Sequence, residues 1–250
     1  MNGFLGAVQF LTRIPIRLDA PADHARIVPW FPVVGAFVGA AVGGAAAGLA
    51  QLVPVPVAAA LAVITGLLIT GAFHEDGLAD IADAFGGGWN VEHRLEILKD
   101  ARHGTYGVAA LTGSIVMRVV CLASITSPAA LFTSCVVAHT IGRGAAVVAM
   151  KSAPPAVDSG LGVTAATALR PVPTATGLVG GMIVSGLVAG WWVVPFLGAA
   201  FVGLGVVVAL AVRKIGGIAG DVLGAVEQIV ECLVLVVATG LASRHQVWWA

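Results

Sequence analysis

The residues best suited to chemistry lie in one short stretch, FHEDGLADIADAFGG at 73–87, directly after the apolar run LAVITGLLITG. Asp76, Asp80 and Asp83 are spaced i, i+4, i+7, which on a helix stacks three carboxylates on one face. Like charges so placed repel one another, by roughly a few tenths of a kcal/mol per exposed pair and by more where water is scarce. A cation should therefore sit among them. Carboxylate oxygens suit hard cations, and Mg²⁺ usually takes one or two carboxylates while leaving its other positions to water and phosphate. A solvated loop kept wet by its acids is the plainer explanation of a charged stretch. Here, however, the acids come with Gly77 and Gly86-Gly87-Gly88, and RLEILKDARHGTYG at 94–107 brings Arg94, Lys99, Arg102 and His103 beside them. Mixed charge with glycines that let backbone approach a ligand favours a metal and phosphate site.

A second acidic patch is RKIGGIAGDVLGAVEQIVE at 213–231. Asp221 opens a predicted helix behind Gly216, Gly217 and Gly220, and Glu227 and Glu231 follow at i, i+4 spacing inside an apolar run. Ionisable groups within a membrane span are expensive and read as functional, although Glu227 could simply snorkel to the near interface. Arg118, His139 and Arg143 also fall in apolar runs. Arg143 follows His139 by one turn and could reach a phosphate, whereas Arg118 reads as a structural partner. Arg13, in FLTRIP, could contact an anion or a lipid headgroup.

These groups need a scaffold, and the composition says which kind. Of 250 residues, 58% are hydrophobic and only 10% charged, and the mean hydropathy is +0.98. A soluble domain carries about 25% charged residues, so the bilayer is the expected solvent. The 33 glycines suit helices whose backbones approach closely in lipid. A formal net charge of zero excludes a nucleic-acid binder that relies on a basic surface. Cys121, Cys135 and Cys232, scattered in apolar runs without CxxC spacing, read as small core hydrophobes. The N-terminus lacks the pattern of a removable signal peptide. Phe4, Leu5, Val8 and Leu11 recur there at helical spacing, which predicts a short helix lying against the membrane surface.

Apolar segments near 30–51, 54–73, 105–124, 128–150, 174–194, 196–212 and 226–242 predict about seven transmembrane helices. With that count, Arg13, Arg17, Arg26, Arg94, Lys99, Arg102, Lys151, Arg170, Arg213 and Lys214 share one face, and Arg244 alone lies on the other. Basic residues accumulate on the cytoplasmic side, so the N-terminus and the charged loops are expected to be cytoplasmic. Trp248 and Trp249 look like an interfacial anchor at the far end. The expectation is one all-α domain over 1–250: a polytopic integral membrane helical bundle with an N-terminal interfacial helix and active-site segments at 74–107 and 213–231.

HEDGLADIADAFGGG with RLEILKDARHGTYG, preceded by FLTRIPI and followed far downstream by GGIAGDVLGA, resembles the cobalamin synthase family, the adenosylcobinamide-GDP ribazoletransferases. The likeness covers nearly the whole chain in order. Ala84 stands where the family usually has Gly, and Ala101 where it has Ser, both small-for-small changes. The resemblance implies a Mg²⁺-dependent transferase of the bacterial inner membrane. Such an enzyme joins adenosylcobinamide-GDP to α-ribazole, or its 5′-phosphate, and releases GMP in the last steps of cobalamin assembly. Its implied partners are those two substrates and membrane lipid, with no nucleic acid; a homo-oligomer is allowed. Carried onto this chain, the motifs implicate His74, Asp76, Gly77, Asp80 and Asp83, then Lys99, Asp100, Arg102, Gly104 and Gly107, then Gly220 and Asp221. On that reading Asp76, Asp80, Asp83 and Glu231 are the expected metal ligands. Asp76, Asp80, Asp83 and Asp221 are the expected catalytic carboxylates, with Asp83 or Asp221 taking the hydroxyl proton. His74, Lys99, Asp100, Arg102, Arg143 and Arg13 are the expected substrate contacts. Two other readings remain at this point. A CDP-alcohol phosphotransferase also lines up membrane-edge aspartates, but its Asp-pair signature is absent where Leu78-Ala79-Asp80 stands. An ion-coupled transporter would place its acids near the bilayer midplane, whereas most of the acids here gather at one face.

Overall fold

A computed structural model describes residues 2–18 and 23–250. The chain opens with α1 (Asn2–Leu11) and α2 (His24–Ile27), and a 3₁₀ turn leads into α3 (Phe31–Leu49). Then come α4 (Val55–Thr70), α5 (Phe73–Gly87), α6 (Val91–Ile97), α7 (Thr105–Ala123), α8 (Pro128–Ala149), α9 (Leu161–Ala168), α10 (Pro171–Ala189), α11 (Val193–Ile215) and α12 (Gly220–Ala242). The described residues contain no strand, only an isolated parallel bridge between Pro155 and Ile218. The fold is thus the expected polytopic helical membrane bundle.

Local signals set many of the helix ends. Proline stands in the first turn of α3, α4, α8 and α10, where its missing N–H has no intrahelical partner to lose. The side chains of Asn90 and Ser127 accept backbone N–H groups at the starts of α6 and α8. Gly71 and Gly216 end α4 and α11 in the left-handed conformation, at φ 68° and 81°.

The bundle is organised around α8, which is buried along nearly its whole length. Three glycines one turn apart on α3 let that helix lie almost backbone to backbone on α8. A Cβ at Gly39 would come within 2.7 Å of the Val136 Cα, and one at Gly43 within 2.9 Å of the Phe132 Cα. Gly35 likewise abuts the His139 carbonyl. Small residues at such seams replace the hydrophobic driving force that lipid does not supply.

Five helical stretches are long and apolar enough to cross a membrane: 24–49, 105–123, 128–149, 171–215 and 220–242. The pair α4 and α5 qualifies jointly as a sixth, but it is bent by 91°. The sequence expectation of seven differs at two places: it takes 54–73 as a span of its own, whereas the 16-residue α4 qualifies only together with the bent α5. It also separates 174–194 from 196–212, whereas residues 171–215 form one helical run carrying a 3₁₀ turn at Gly190–Trp192. Gly190, at φ 59° and ψ −133°, turns the chain there, and residues of both arms line a common apolar cavity against α8.

The bend between α4 and α5 sets the direction of the acidic helix. Gly71 and then Ala72, at φ 57°, both take left-handed backbone, so the chain leaves the α4 axis abruptly. The carboxylate stretch is therefore helical along 73–87 but runs across the end of α4 instead of continuing it.

Candidate active site

The two acidic patches meet where α5 crosses α12. At the crossing neither helix has a side chain: a Cβ on Gly77 would lie 2.9 Å from the Asp221 carbonyl oxygen and 3.3 Å from the Gly224 Cα, and one on Gly224 would lie 3.0 Å from the His74 carbonyl. That approach sets Asp221, in the first turn of α12, beside the α5 face bearing Asp76 and Asp80. His103 reaches in from the loop before α7, with Nε2 3.4 Å from Asp76 Oδ1 and Nδ1 3.3 Å from Asp80 Oδ1.

Next to this crossing lies a cavity of about 620 Å³, within the range of small-molecule sites. Phe10, Phe31 and Phe73 give it an aromatic wall; Phe10 stacks on Phe31 at 5.4 Å and meets Phe73 edge-on at 5.6 Å. His74, Asp76, Lys99, Arg143, Asp158 and Asp221 supply its charged or ionisable lining. Another part of the wall comes from the segment 156–163, held to the turn before α12 by paired hydrogen bonds: Ala156 N–H donates to the Ile218 carbonyl at 2.9 Å and Ile218 N–H to the Pro154 carbonyl at 2.8 Å.

Beneath the cavity, α5, α7, α8 and α12 share a buried knot of charge. Arg143 Nη1 pairs with Glu227 Oε1, lies 3.0 Å from Glu231 Oε2 and 2.7 Å from His139 Nδ1. Glu231 Oε2 also lies 2.8 Å from His139 Nδ1, while Glu231 Oε1 is 3.2 Å from Arg118 Nη1. Arg118 Nη1 in turn lies 2.9 Å from Glu75 Oε1. Glu227 Oε2 accepts from the Gln228 amide at 2.9 Å and faces His74 Nδ1 at 3.6 Å. Glu227 is fully buried, so it does not snorkel.

The structure thus sorts the expected site residues. Asp76, Asp80 and Asp221 come together at the crossing, and His74, Lys99 and Arg143 line the cavity beside it. Asp83 is engaged elsewhere: its Oδ2 accepts the Gly104 N–H at 2.6 Å and its Oδ1 the Gly107 N–H at 2.9 Å, which ties α5 to the first turn of α7. Glu231 is engaged by Arg118, Arg143 and His139. Two of the four expected metal ligands are therefore committed to protein partners, because a buried carboxylate must find donors and these were nearer. Arg102 is exposed and bound in a fork to Asp100, through Nε at 3.0 Å and Nη2 at 2.8 Å. That guanidinium holds the Asp100 carboxyl down to about 2. Arg13 lies off the cavity, its backbone N–H donating to the Ile69 carbonyl at 2.7 Å and its side chain packed over Gly71.

A divalent ion has two candidate places. His139, Glu227 and Glu231 offer ligand atoms within 4.8 Å of one another, but the Arg143 guanidinium already lies among all three and supplies the positive charge. Asp76 and Asp80 are the better fit. They are all-oxygen donors, Asp76 lines the cavity with Asp80 one turn further on, and their only ion-pair partner among the described residues is His103. Mg²⁺ needs no more than one or two such groups. The sequence pattern singled out neither the 156–163 wall nor the Glu75–Arg118 pair. For the wall, the Pro-Pro and Asp-Ser-Gly turn signals of APPAVDSG were the available hint.

Fold and cavity together define the class: a multi-pass helical membrane protein with a polar-lined cavity where α5 meets α12. The chain belongs to the cobalamin-5-phosphate synthase family, whose model matches residues 3–239. It is 38% identical to an adenosylcobinamide-GDP ribazoletransferase of Azorhizobium caulinodans over 96% of each chain. It is 39% identical to the protein of that name from Bradyrhizobium diazoefficiens, over 93% of this chain and 91% of the relative. The Vibrio cholerae protein of that name is 31% identical over 98% of this chain and 95% of the relative. No solved structure matches the chain.

Proposed function

We propose that the chain is an adenosylcobinamide-GDP ribazoletransferase, the activity for which its relatives are named. It would join adenosylcobinamide-GDP to α-ribazole, or to α-ribazole 5′-phosphate, and release GMP. The observation that carries this reading is the meeting of Asp76, Asp80 and Asp221 beside a cavity with cationic lining, inside the part of the chain that matches the family.

In the transfer, a ribose hydroxyl oxygen of α-ribazole bonds to the phosphorus attached to cobinamide. The bond from that phosphorus to the GMP oxygen breaks, and the hydroxyl proton passes to a base. Positioning and charge neutralisation supply most of the acceleration in such reactions. Lys99, in the cavity wall, neutralises the leaving GMP, and Arg143 faces the diphosphate from below. Asp221 is better placed than Asp83 to take the proton, because it lines the cavity while both Asp83 oxygens accept backbone N–H groups. Asp76 and Asp80 would hold Mg²⁺, which when bound neutralises phosphate charge. The ten basic residues that the seven-segment reading of the sequence puts on one face, Lys99 of the cavity wall among them, support a cytoplasmic site in an inner-membrane protein.

The test is GMP release from adenosylcobinamide-GDP by purified protein in detergent. Release should require α-ribazole and Mg²⁺, stop on chelation, and be lost in Asp80→Asn protein that still extracts from the membrane. Release by Asp80→Asn at the wild-type rate would defeat the metal assignment, and no release by the wild type would defeat the activity.

A further inference from the structure

The charged knot under the cavity is larger than anchoring one arginine requires. Two guanidinium groups, three carboxylates and two imidazoles from four helices lie buried in an otherwise apolar bundle. Burying ions in this way is expensive, and well-packed apolar residues would often hold four helices together as firmly. The arrangement is also directional. Arg143 Nη1 is the point where Glu227, Glu231 and His139 converge, so one end of the guanidinium is fully held. Its other edge is not: Nε is buried without a hydrogen-bond partner, and Nη2 has only the 3.5 Å approach of His74 Nδ1. That Nε–Nη2 edge is the fork that grips an oxyanion with two parallel bonds. A buried donor without an acceptor is costly, so the edge calls for an oxygen that the protein itself does not supply. Arg143 lines the cavity, where a phosphate oxygen would meet it.

Arg118 does not line that cavity; it borders only a small void on the far side of Glu231. We propose that Arg118 is a positioning residue for the transfer reaction: held by Glu75, it fixes the Glu231 carboxylate, and through Glu231 it sets the angle of the Arg143 guanidinium. This rests on the reading of the cavity as the transferase site. Each link is direct, with Glu75 Oε1 to Arg118 Nη1 at 2.9 Å, Arg118 Nη1 to Glu231 Oε1 at 3.2 Å, and Glu231 Oε2 to Arg143 Nη1 at 3.0 Å. Without Arg118 the Glu231 Oε1 loses its guanidinium partner, so the carboxylate is free to rotate about the Oε2 contacts to His139 and Arg143, and the oxyanion edge of Arg143 shifts with it.

The experiment is a double-mutant cycle on steady-state GMP release, with Arg118→Met and Arg118→Lys each made in the wild-type and Arg143→Lys backgrounds. Arg118→Met should lower kcat/KM for adenosylcobinamide-GDP by about 10²-fold, the scale of an ångström-sized misplacement. Arg118→Lys, which keeps the charge, should recover part of that loss. In the Arg143→Lys background, Arg118→Met should make less than about a twofold further difference, because the group it positions is already gone. Equal losses in both backgrounds, or wild-type kinetics for Arg118→Met, would overturn the proposal. If Arg118→Met cannot be extracted folded, Arg118→Lys in the two backgrounds decides by the same comparison. A wild-type protein that releases no GMP would sink the activity itself; an active wild type with an additive cycle sinks only the role of Arg118.

Discussion

Asp83 offers the sharpest test of how the acids divide their work. In sequence it is the third member of a carboxylate stripe, yet in the fold it is a buried clamp between α5 and the start of α7. Asp83→Asn keeps the shape but removes the charge and turns one oxygen into an N–H donor. One of the two backbone hydrogen bonds must then be lost, and a hydrogen bond to a charged group is worth about 1.5–3 kcal/mol. The carboxylate's interaction with the N-terminal end of α7 adds roughly 0.3–1 kcal/mol. The total is about 2–4 kcal/mol, which for a chain of this length lowers the melting temperature by roughly 5–15 °C. Asp80→Asn should behave oppositely. It relieves repulsion at the meeting of Asp76, Asp80 and Asp221, so its melt should be unchanged or raised while GMP release disappears. The assay is a thermal melt of each variant in detergent beside a Mg²⁺ titration of GMP release. Asp83→Asn should melt early and, below its melt, respond to Mg²⁺ at the wild-type midpoint. A normal melt with a raised Mg²⁺ midpoint would show that Asp83 is a metal ligand and refute the clamp.

Two further outcomes come from packing. Gly77→Val places its side chain against the Asp221 carbonyl, already 2.9 Å from a Cβ there, and against Gly224. Prying α5 from α12 should cost about 1–3 kcal/mol and abolish GMP release, and an active Gly77→Val enzyme would show that the crossing need not be tight. Glu227→Ala leaves Arg143 with half its anionic support in a fully buried position, so extraction yield and melt should both fall, by about 3–5 kcal/mol; an unchanged melt would mean that water reaches the knot.

Much of this arrangement was readable from residue types alone. Apolar run lengths gave the bundle, and the i, i+4 placement of Asp76 and Asp80 gave a shared helix face, because both depend only on local periodicity. The separation of Asp83 from the other two was not readable. It depends on Gly104 and Gly107 offering bare N–H groups at that height, which is a fact about where α7 begins relative to α5. The same holds for the partners of Arg118. The sequence marked it as needing a counter-charge, but Glu75 and Glu231 are supplied by two other helices whose register only packing sets. Trp248 and Trp249 read as a membrane anchor. In the fold their indole N–H groups donate to the Leu187 and Val188 carbonyls at 3.1 and 2.8 Å, closing the end of α10. Counting spans was hardest at 171–215, because a tight turn at a single glycine leaves almost no polar break to read.

The corner at Gly71 and Ala72 gives α1 a role that its amphipathic pattern does not announce. The chain leaving α1 lies along the outside of that elbow, with Arg13 bonded to the last turn of α4 and folded over Gly71. It acts as a splint: the pose of the acid-bearing rod is braced by the opening residues of the polypeptide. Trimming or tagging the front end should therefore be felt at Asp76 and Asp80, even though they belong to a different helix.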